Sequence, residues 1–433
     1  MSLATTFRAL RHRNFRLFFG GQLVSLIGTW MQSVAQSWLI YRLTGSAVLL
    51  GAVGFTSQFP VFLLAPIGGI VADRFPRRTI LIVTQTVAML LAGALAAVTL
   101  AEGVRVWLIF VLGAALGVVN AFDIPARQAF VVEMVERPDI MNAIALNSAM
   151  FNGARIVGPA IAGVLVASIG EGWCFFANAL SYLAVIAGLL RMRIPPGTVA
   201  PVLTTALEHV LEGFRFVGRT APIRALLLLL GLVSLVAMPY TVLMPIFADQ
   251  ILHSGPRGLG ILMGASGIGA LIGALALAAR RELRGLGRWV AFAMAGFGLS
   301  LIGFALSRSF WLSTALLVPV GGCMMVQMSA SNTLIQAMVP DALRGRVMSI
   351  YSMMFMGLAP VGALLAGTLA SHMGAPSMVV AGGALAIMGA IGFALRLPAL
   401  RPDARRLIVA QHVAGGDPPG ETTAPAAGDS GSR

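Results

Sequence analysis

A charged pattern follows an apolar segment in the sequence GGIVADRFPRRTI, residues 68–80. It combines a glycine, an acid and three arginines, at Gly69, Asp73, Arg74, Arg77 and Arg78. A glycine lets a neighbouring helix backbone approach closely, and a carboxylate accepts charge-assisted hydrogen bonds from arginine or from helix N-terminal amides. Arginines are also attracted to an anionic membrane face. The pattern therefore predicts a clasp that holds one conformation shut; a solvated turn is the alternative.

One arginine lies in the middle of an apolar segment. Arg155 stands about 14 residues into it, roughly 20 Å from its start at the helical rise. An arginine at that depth costs at least about 2.5–3.5 kcal/mol on insertion scales, which argues against a lipid-facing position. We expect Arg155 to face a cavity or a polar neighbour such as Asn152. A cation there suits an acidic or electron-rich ligand, and a structural arginine bonded to backbone carbonyls is the alternative.

Two carboxylates near the ends of apolar segments are candidates for a gate or for proton binding. Asp123 and Arg127 flank Pro125 at the predicted end of one segment, and Asp249 closes another. Ionisable groups inside membrane proteins often pair with one another or relay protons. Ordinary helix-end charges are the alternative, so the sequence names no single protonation site.

The residue types that could catalyse covalent chemistry are scattered along the sequence. The five histidines fall in termini, loops and helix ends, and Cys174 and Cys323 have neither metal-ligand nor disulfide spacing. No glycine-rich phosphate-binding motif stands in a polar segment. We therefore expect no enzyme, no metal and no cofactor, and a membrane-embedded enzyme is the weakest alternative.

The composition is that of a membrane protein. Hydrophobic residues make up 58% of the 433 residues and charged residues 11%, and the mean hydropathy is +0.88. A soluble domain carries about 25% charged residues, so a soluble enzyme is nearly excluded. Apolar stretches of about 20 residues recur along the chain. They predict an all-α polytopic membrane protein, with the lipid bilayer as its first partner.

Twelve membrane spans are predicted. They cover 15–41, 48–72, 79–100, 105–123, 141–168, 173–193, 222–248, 257–279, 289–307, 311–338, 346–372 and 376–397. All 30 basic residues are arginine, and 25 of them fall on the side that carries both termini. By the positive-inside rule, that side faces the cytoplasm. Because the arginines are spread over separate loops, we expect no nucleic-acid partner.

The chain divides into two similar halves. We predict a six-helix bundle over 1–193, a cytoplasmic linker over 194–221 with an amphipathic helix in its second part, and a second bundle over 222–397. A cytoplasmic tail, 398–433, is expected to be largely disordered from about residue 415 because of its composition.

Two pairs of segments correspond between the halves. LTGSAVLLG (43–51) matches LHSGPRGLG (252–260) in position, and GPAIAG (158–163) matches APVGALLAG (359–367). Parallel repeats of six spans are typical of carriers that bind a ligand at the membrane midplane. The repeats predict two six-helix bundles related by a pseudo-two-fold axis.

The chain resembles the major facilitator superfamily over about residues 10–397. Segment 68–80 contains the superfamily signature G-x-x-x-D-R-x-x-R-R, and segments 11–51, 123–135 and 142–163 are similar to the branch with the enterobactin exporter and macrolide efflux proteins. The resemblance implies a rocker-switch antiporter driven by the proton gradient. We expect a monomer in a bacterial inner membrane.

The resemblance also implies roles for residues inside the spans. Four residues resemble the antiporter packing motif of the fifth span, with one departure in spacing and Ala162 in place of a glycine: Gly153, Gly158, Pro159 and Gly163. The first and fourth spans of each half line the cavity in this superfamily. With two residues of the fifth span, the cavity candidates are Gln32, Gln36, Asn120, Asn152, Arg155, Tyr240, Gln327 and Asn332.

These observations predict a secondary-active exporter of a bulky, amphipathic, neutral or anionic small molecule. A siderophore, a macrolide or a drug fits this description. An importer of a small organic solute on the same fold is the alternative.

Overall fold

The computed structural model describes residues 7–193, 206–280 and 285–414, and these residues form an all-helical fold. The long helices are α1 Arg13–Thr44, α2 Ala47–Arg74, α3 Arg77–Leu100, α4 Val106–Phe130, α5 Ile140–Ile169, α6 Glu171–Arg191, α7 Ala206–Arg219, α8 Ala221–Ile251, α9 Gly255–Ala278, α10 Leu286–Leu306, α11 Phe310–Met338, α12 Asp341–Ser352 with its continuation Leu358–Met373, and α13 Ala375–Ala414. Short 3₁₀ turns cover Arg8–Arg11, Val131–Met134 and Arg137–Asp139.

Eleven of the described helices are long and apolar enough to cross a membrane, which confirms the polytopic all-α prediction. The 32-residue helix α1 is not among them. Its amides Gln22, Gln32 and Gln36 lower its hydropathy, but all three are buried against the protein. The span predicted at 15–41 lies within this helix, and its crossing of the membrane remains a prediction.

Three wide, π-helical turns occur in the described helices of the second half; one of them, Phe247–Ile251, ends α8, and the other two contact each other. In α8 the turn Val233–Ala237 precedes Pro239, whose ring cannot continue regular helical hydrogen bonding. In α12 the turn is Met353–Gly357. The Ser234 hydroxyl of the first turn donates to the Phe355 carbonyl of the second at 2.6 Å. A carbonyl of one irregular turn is therefore satisfied by a side chain of the other.

Two helices extend beyond their predicted ends. The sequence predicts that helix α4 ends at residue 123, but the helix continues through Pro125 to Phe130, so Asp123 lies inside it. Helix α13 continues through Pro398 to Ala414, so the tail does not begin at 398. Past Leu397, its apolar residues Leu400, Ala404, Leu407 and Ile408 pack against the core, which holds the extra turns in place. Residues 415–433 lie outside the described residues.

Successive spans run in opposite directions within the described residues, so helix ends alternate between two sides of the molecule. The side with the ends of α2 and α6 also carries the start of α1, and we call it the terminal side. There, Arg78 donates to the carbonyl oxygen of Leu189 at 2.7 Å and caps the end of α6. On the opposite side, Arg42 pairs with Glu171 at 2.8 Å.

Each half has its own set of packed helices. In the first half α1 contacts α5 and α6, α2 contacts α4, and α3 contacts α4 and α6. In the second half α11 contacts α9 and α10, and α10 contacts α13. The main contacts between the halves are those of α2 with α12 and of α5 with α9. Helix α7, which lies in the segment predicted as a linker, packs on α12, where Glu212 pairs with Arg346; residues 194–205 lie outside the described part.

A buried carboxylate fixes the N-terminal segment to the loop before α5. Asp139 is fully buried and accepts from Arg11 at 2.8 Å, from the His12 ring at 2.7 Å, and from Arg8. Charge-assisted hydrogen bonds of this kind are stronger than neutral ones. The cluster holds residues 8–12 against the first half.

We therefore expect Asp139→Ala to release the N-terminal segment. Without the shared acceptor, three cationic or polar side chains lose their partner, and trypsin cleavage after Arg8 and Arg11 should become several-fold faster because local opening exposes them. Glu136→Gln is the matched control, since Glu136 is exposed in the same loop. Equal cleavage rates in the two variants would contradict the anchoring role.

Candidate functional site

The two halves meet through glycines near the opposite side. A Cβ atom built on Gly163 of α5 would lie 2.9 Å from the Pro256 carbonyl oxygen and 3.0 Å from Gly260 Cα of α9. At Gly260 it would lie 2.5 Å from the Pro159 carbonyl oxygen. Glycine is needed here because any side chain would push the helices apart.

A second crossing has the same construction. A Cβ atom on Gly367 of α12 would lie 3.0 Å from Gly51 Cα of α2, and one on Gly51 would collide with the Ala363 carbonyl oxygen. The segments in contact are the ones that correspond between the halves in sequence: 158–163 meets 252–260, and 359–367 meets 43–51. Exchanging the two halves therefore converts one crossing into the other.

A side-chain hydrogen bond joins the halves near the opposite side. The Tyr41 hydroxyl at the end of α1 donates to Asp249 at 2.9 Å, near the end of α8 on the opposite side. Asp249 is otherwise exposed. The sequence singled out Asp249 but not Tyr41, because the pairing depends on how the two halves dock.

Arg155 lies at the margin of the contact between α5 and α9. It is the sixteenth of the 30 residues of α5, and a Cβ atom on Gly267 of α9 would lie 3.4 Å from its carbonyl oxygen. Its guanidinium stacks over the Trp30 ring of α1, 5.8 Å from the ring centroid. Among the described residues it has no carboxylate partner. A cation–π contact does not neutralise the charge, so Arg155 can attract an anion.

Trp30 is a neighbour of Arg155 that the sequence pattern does not reveal. It is half-buried, forms an edge-to-face contact with Phe151 at 5.7 Å, and packs against Gly158, where a Cβ atom would lie 2.5 Å from Trp30 Cβ. Trp30 and Arg155 lie on different helices, α1 and α5, so no local sequence pattern links them. With Arg155 it forms a cationic and aromatic surface that suits an amphipathic ligand.

The amides predicted to line a cavity are mostly engaged within one half. Gln32 accepts from Asn178 at 2.6 Å, and Asn152 donates to the Ser148 carbonyl of its own helix at 2.9 Å. Gln36 is buried beside Gly113 of α4. Gln32 and Gln36 are therefore packed between helices of the first half, whereas the Asn152 bond stays within α5 and is exposed. Asn120 is half-buried and has no side-chain hydrogen bond within the described residues.

The cavity candidates of the second half differ in how deeply they are buried. Tyr240 is only 1% exposed, and its hydroxyl bonds Ser266 at 2.9 Å, so the prediction that it lines an open cavity is wrong for this conformation. Gln327 is also buried; it reaches Ser331 at 3.4 Å, and its amide oxygen has no described partner. Asn332 is half-buried and accepts from Gln336.

Asp123 belongs to a polar cluster inside the first half. It accepts from Thr84 and Gln85 of α3, each at 2.8 Å, and lies 3.5 Å from Arg127. Within the part of the chain that the structure describes, it has no hydrogen bond or ion pair with the second half. Asp123 therefore ties α3 to α4, and Arg127 pairs with it inside α4. The gate role of the two residues remains a prediction.

The predicted clasp is open. Asp73 is exposed, with Arg77 3.5 Å away, and Arg77 binds Glu133 more closely at 2.5 Å. Arg74 is exposed and makes no side-chain hydrogen bond among the described residues. The close helix approach assigned to Gly69 is wrong, because a Cβ atom there meets nothing within 4 Å. The close approach occurs at Gly68 instead, where a Cβ atom would lie 2.9 Å from the Ala121 carbonyl carbon. The face that α2 turns to α4 is offset by one residue from the predicted one.

Close helix packing occurs at three of the four positions of the antiporter-like motif, whose role in transport remains a prediction. Gly158 packs on α1, and Pro159 and Gly163 pack on α9. Gly153 makes no close contact, because a Cβ atom there meets nothing within 4 Å. The four-residue gap before Gly158 rotates Gly153 away from both neighbouring helices.

Comparison with known proteins gives long matches. The sequence profile described as transmembrane secretion effector matches residues 4–415. The chain is 24% identical to the staphyloferrin A transporter of Staphylococcus aureus, over 83% of this chain and 90% of the relative. It is 29% identical to the multidrug efflux pump Tap of Mycolicibacterium fortuitum, over 80% of this chain and 87% of the relative. It is 25% identical to the enterobactin exporter EntS of Shigella boydii, over 84% of this chain and 86% of the relative.

The fold is similar to that of solved transporters. A bacterial homologue of the iron transporter ferroportin, in an inward-facing state, superposes with a TM-score of 0.65. That match covers 91% of this chain and 99% of the homologue at 18% identity, so it concerns the fold alone.

Proposed function

We propose, from the premise that this chain belongs to the transmembrane secretion effector family of the major facilitator superfamily, that it is a proton-coupled exporter. The protein is a multi-pass membrane transporter of that superfamily, with efflux proteins among its relatives. The finer proposal is that twelve spans form two six-helix bundles, which rock about a binding region near the membrane midplane. Both termini then face the cytoplasm of a bacterial inner membrane.

One observation carries the proposal. Both glycine crossings and the Tyr41–Asp249 bond lie toward the opposite side, while the Asp73 clasp on the terminal side is open. In a carrier with alternating access, this arrangement corresponds to the state closed to the outside and open to the cytoplasm. A cytoplasmic substrate would reach Arg155 and Trp30 in this state.

The proposed substrate is a bulky amphipathic molecule, neutral or anionic. The unpaired guanidinium of Arg155 favours a carboxylate or an electron-rich oxygen, and Trp30 offers an aromatic face. A siderophore, a macrolide or an acidic drug has both features. The named substrates of the relatives, staphyloferrin A and enterobactin, are siderophores. No cofactor is proposed; the proton gradient supplies the energy, with Asp123 and Asp249 as the candidate carboxylates, and the monomer is the proposed unit.

The test is uptake into everted membrane vesicles that contain the overexpressed protein. The panel is a catecholate siderophore, a macrolide and a cationic dye, each with and without a protonophore, against vesicles lacking the protein. Protein-dependent uptake that the protonophore abolishes is the expected result. Accumulation only in right-side-out vesicles would favour the importer, and ATP-dependent uptake that resists the protonophore would overturn proton coupling.

The clasp gives a separate prediction. Asp73→Asn should lower export at least about tenfold without preventing membrane insertion, because a hydrogen bond to a charged group contributes roughly 1.5–3 kcal/mol to the closed state. Glu133→Gln is the matched control, since it removes the other acid that contacts Arg77. Equal loss in both variants would place the effect in the Arg77 contacts rather than in a clasp.

A further inference from the structure

A cavity of about 410 Å³ lies on the terminal side of the second half, away from the contacts between the halves. The starts of α8 and α10, the end of α11 and the last part of α13 enclose it. Its inner wall is apolar and includes Leu226, Leu334, Met338, Phe393 and Leu397. The cavity is therefore suited to a hydrocarbon chain.

Three arginines complete the lining of this cavity. Arg288 comes from α10, and Arg401 and Arg405 come from the extension of α13; all three are exposed. Among the described residues, no carboxylate lines the cavity and no ion pair involves these arginines. The nearby Asp403 follows Arg401 by two helical positions and so points about 200° away from it.

The extension of α13 explains why an apolar wall and a cationic rim occur together. Arg401, Ala404, Arg405 and Ile408 recur at helical spacing and share one face, and all four line the cavity. A helix with this pattern at the end of a membrane span lies where headgroups meet acyl chains.

We propose that this cavity binds an anionic phospholipid, with an acyl chain against the apolar wall and the phosphate held by Arg288, Arg401 and Arg405. Charge complementarity argues for the headgroup, because basic pockets between membrane helices bind anionic lipid heads. The site is independent of the transported substrate, since its lining comes from the second half alone. Lipid binding there fixes the end of α13 to α8, α10 and α11 and so stabilises the second half.

The test is a titration of the purified full chain with lipid, followed by thermal unfolding. Dioleoyl phosphatidylglycerol should raise the melting temperature in a saturable way, and dioleoyl phosphatidylcholine should not. The triple variant R288Q/R401Q/R405Q should need about a hundredfold more phosphatidylglycerol, because each arginine near an anionic lipid surface contributes roughly fivefold. The triple variant R13Q/R16Q/R191Q is the control, since these arginines are exposed on the same side in the first half.

Further arms separate the lipid from a free anion and from a folding defect. Inorganic phosphate and glycerol phosphate should not raise the melting temperature, because they lack the acyl chain; equal protection by either would overturn the lipid assignment. Ala404→Trp narrows the cavity without changing charge and should also weaken the phosphatidylglycerol effect. The proposal fails if both triple variants respond like the unmodified chain, or if phosphatidylcholine protects as well as phosphatidylglycerol.

Discussion

Replacing Gly163 with leucine is expected to reduce transport by about 5- to 150-fold while the protein still inserts into the membrane. A Cβ atom at this position already approaches the backbone of α9 at 2.9–3.2 Å, so a leucine side chain must separate α5 from α9. Overpacking of this kind costs about 1–3 kcal/mol. The cost falls only on the conformation in which the halves touch near Gly163, so the population of that conformation falls by the same factor.

The matched control is Gly153→Leu in the same helix, where a Cβ atom meets nothing within 4 Å. Both variants carry the same chemical change, and the measurements are uptake rate in vesicles and the amount of folded protein by gel filtration. Gly163→Ala, which adds only the Cβ atom, keeps the prediction testable if leucine prevents folding. Uptake by Gly163→Leu that matches Gly153→Leu would show that the crossing is not needed for turnover.

Neutralising Arg155 is expected to separate anionic from neutral substrates. A guanidinium about 6 Å from a substrate anion contributes roughly 2–3 kcal/mol at an effective dielectric constant of about 20, which is about 30- to 150-fold in affinity. Arg155→Gln should therefore lower the affinity for an acidic siderophore by that factor and leave a neutral macrolide nearly unchanged. Arg155→Lys should retain part of the preference, because the charge remains.

Arg308→Gln controls for the loss of one positive charge, since Arg308 is exposed in a turn on the opposite side. Substrate binding by quenching of tryptophan fluorescence and uptake rates are the two measurements. An equal loss for acidic and neutral substrates in Arg155→Gln would identify Arg155 as a structural residue that holds α1 against α5 through Trp30.

Hydropathy was sufficient to predict the apolar helices, because a bilayer imposes length and polarity on every span. The same logic placed two ends too early, at 123 and 397, each shortly before a proline. Proline removes one hydrogen bond but does not end a helix whose apolar face is packed. Tertiary packing of Phe130 and of Leu400 decided those ends instead.

The site was harder to predict than the fold. Motif positions identified Gly158 and Gly163, but the face that packs depends on helix rotation, so Gly68 replaced Gly69 and Gly153 made no contact. Contacts of Tyr41 with Asp249 and of Trp30 with Arg155 join residues more than 100 positions apart. Neither pair has a local signal in one sequence, because the partners meet only when separate helices dock.

The glycine crossings can act as pivots, at which a small rotation of one half produces a large displacement on the terminal side. Gly163 lies 23 residues from the start of α5, so the arm from this pivot to the terminal side is about 35 Å long at the helical rise. Where two backbones touch without intervening side chains, the pivot itself hardly moves. A rotation of about 10° there displaces the far end of α5 by about 6 Å over that arm. A tilt small enough to preserve the packing at Gly163 and Gly260 can therefore widen or close the passage on the terminal side by more than the width of a water molecule.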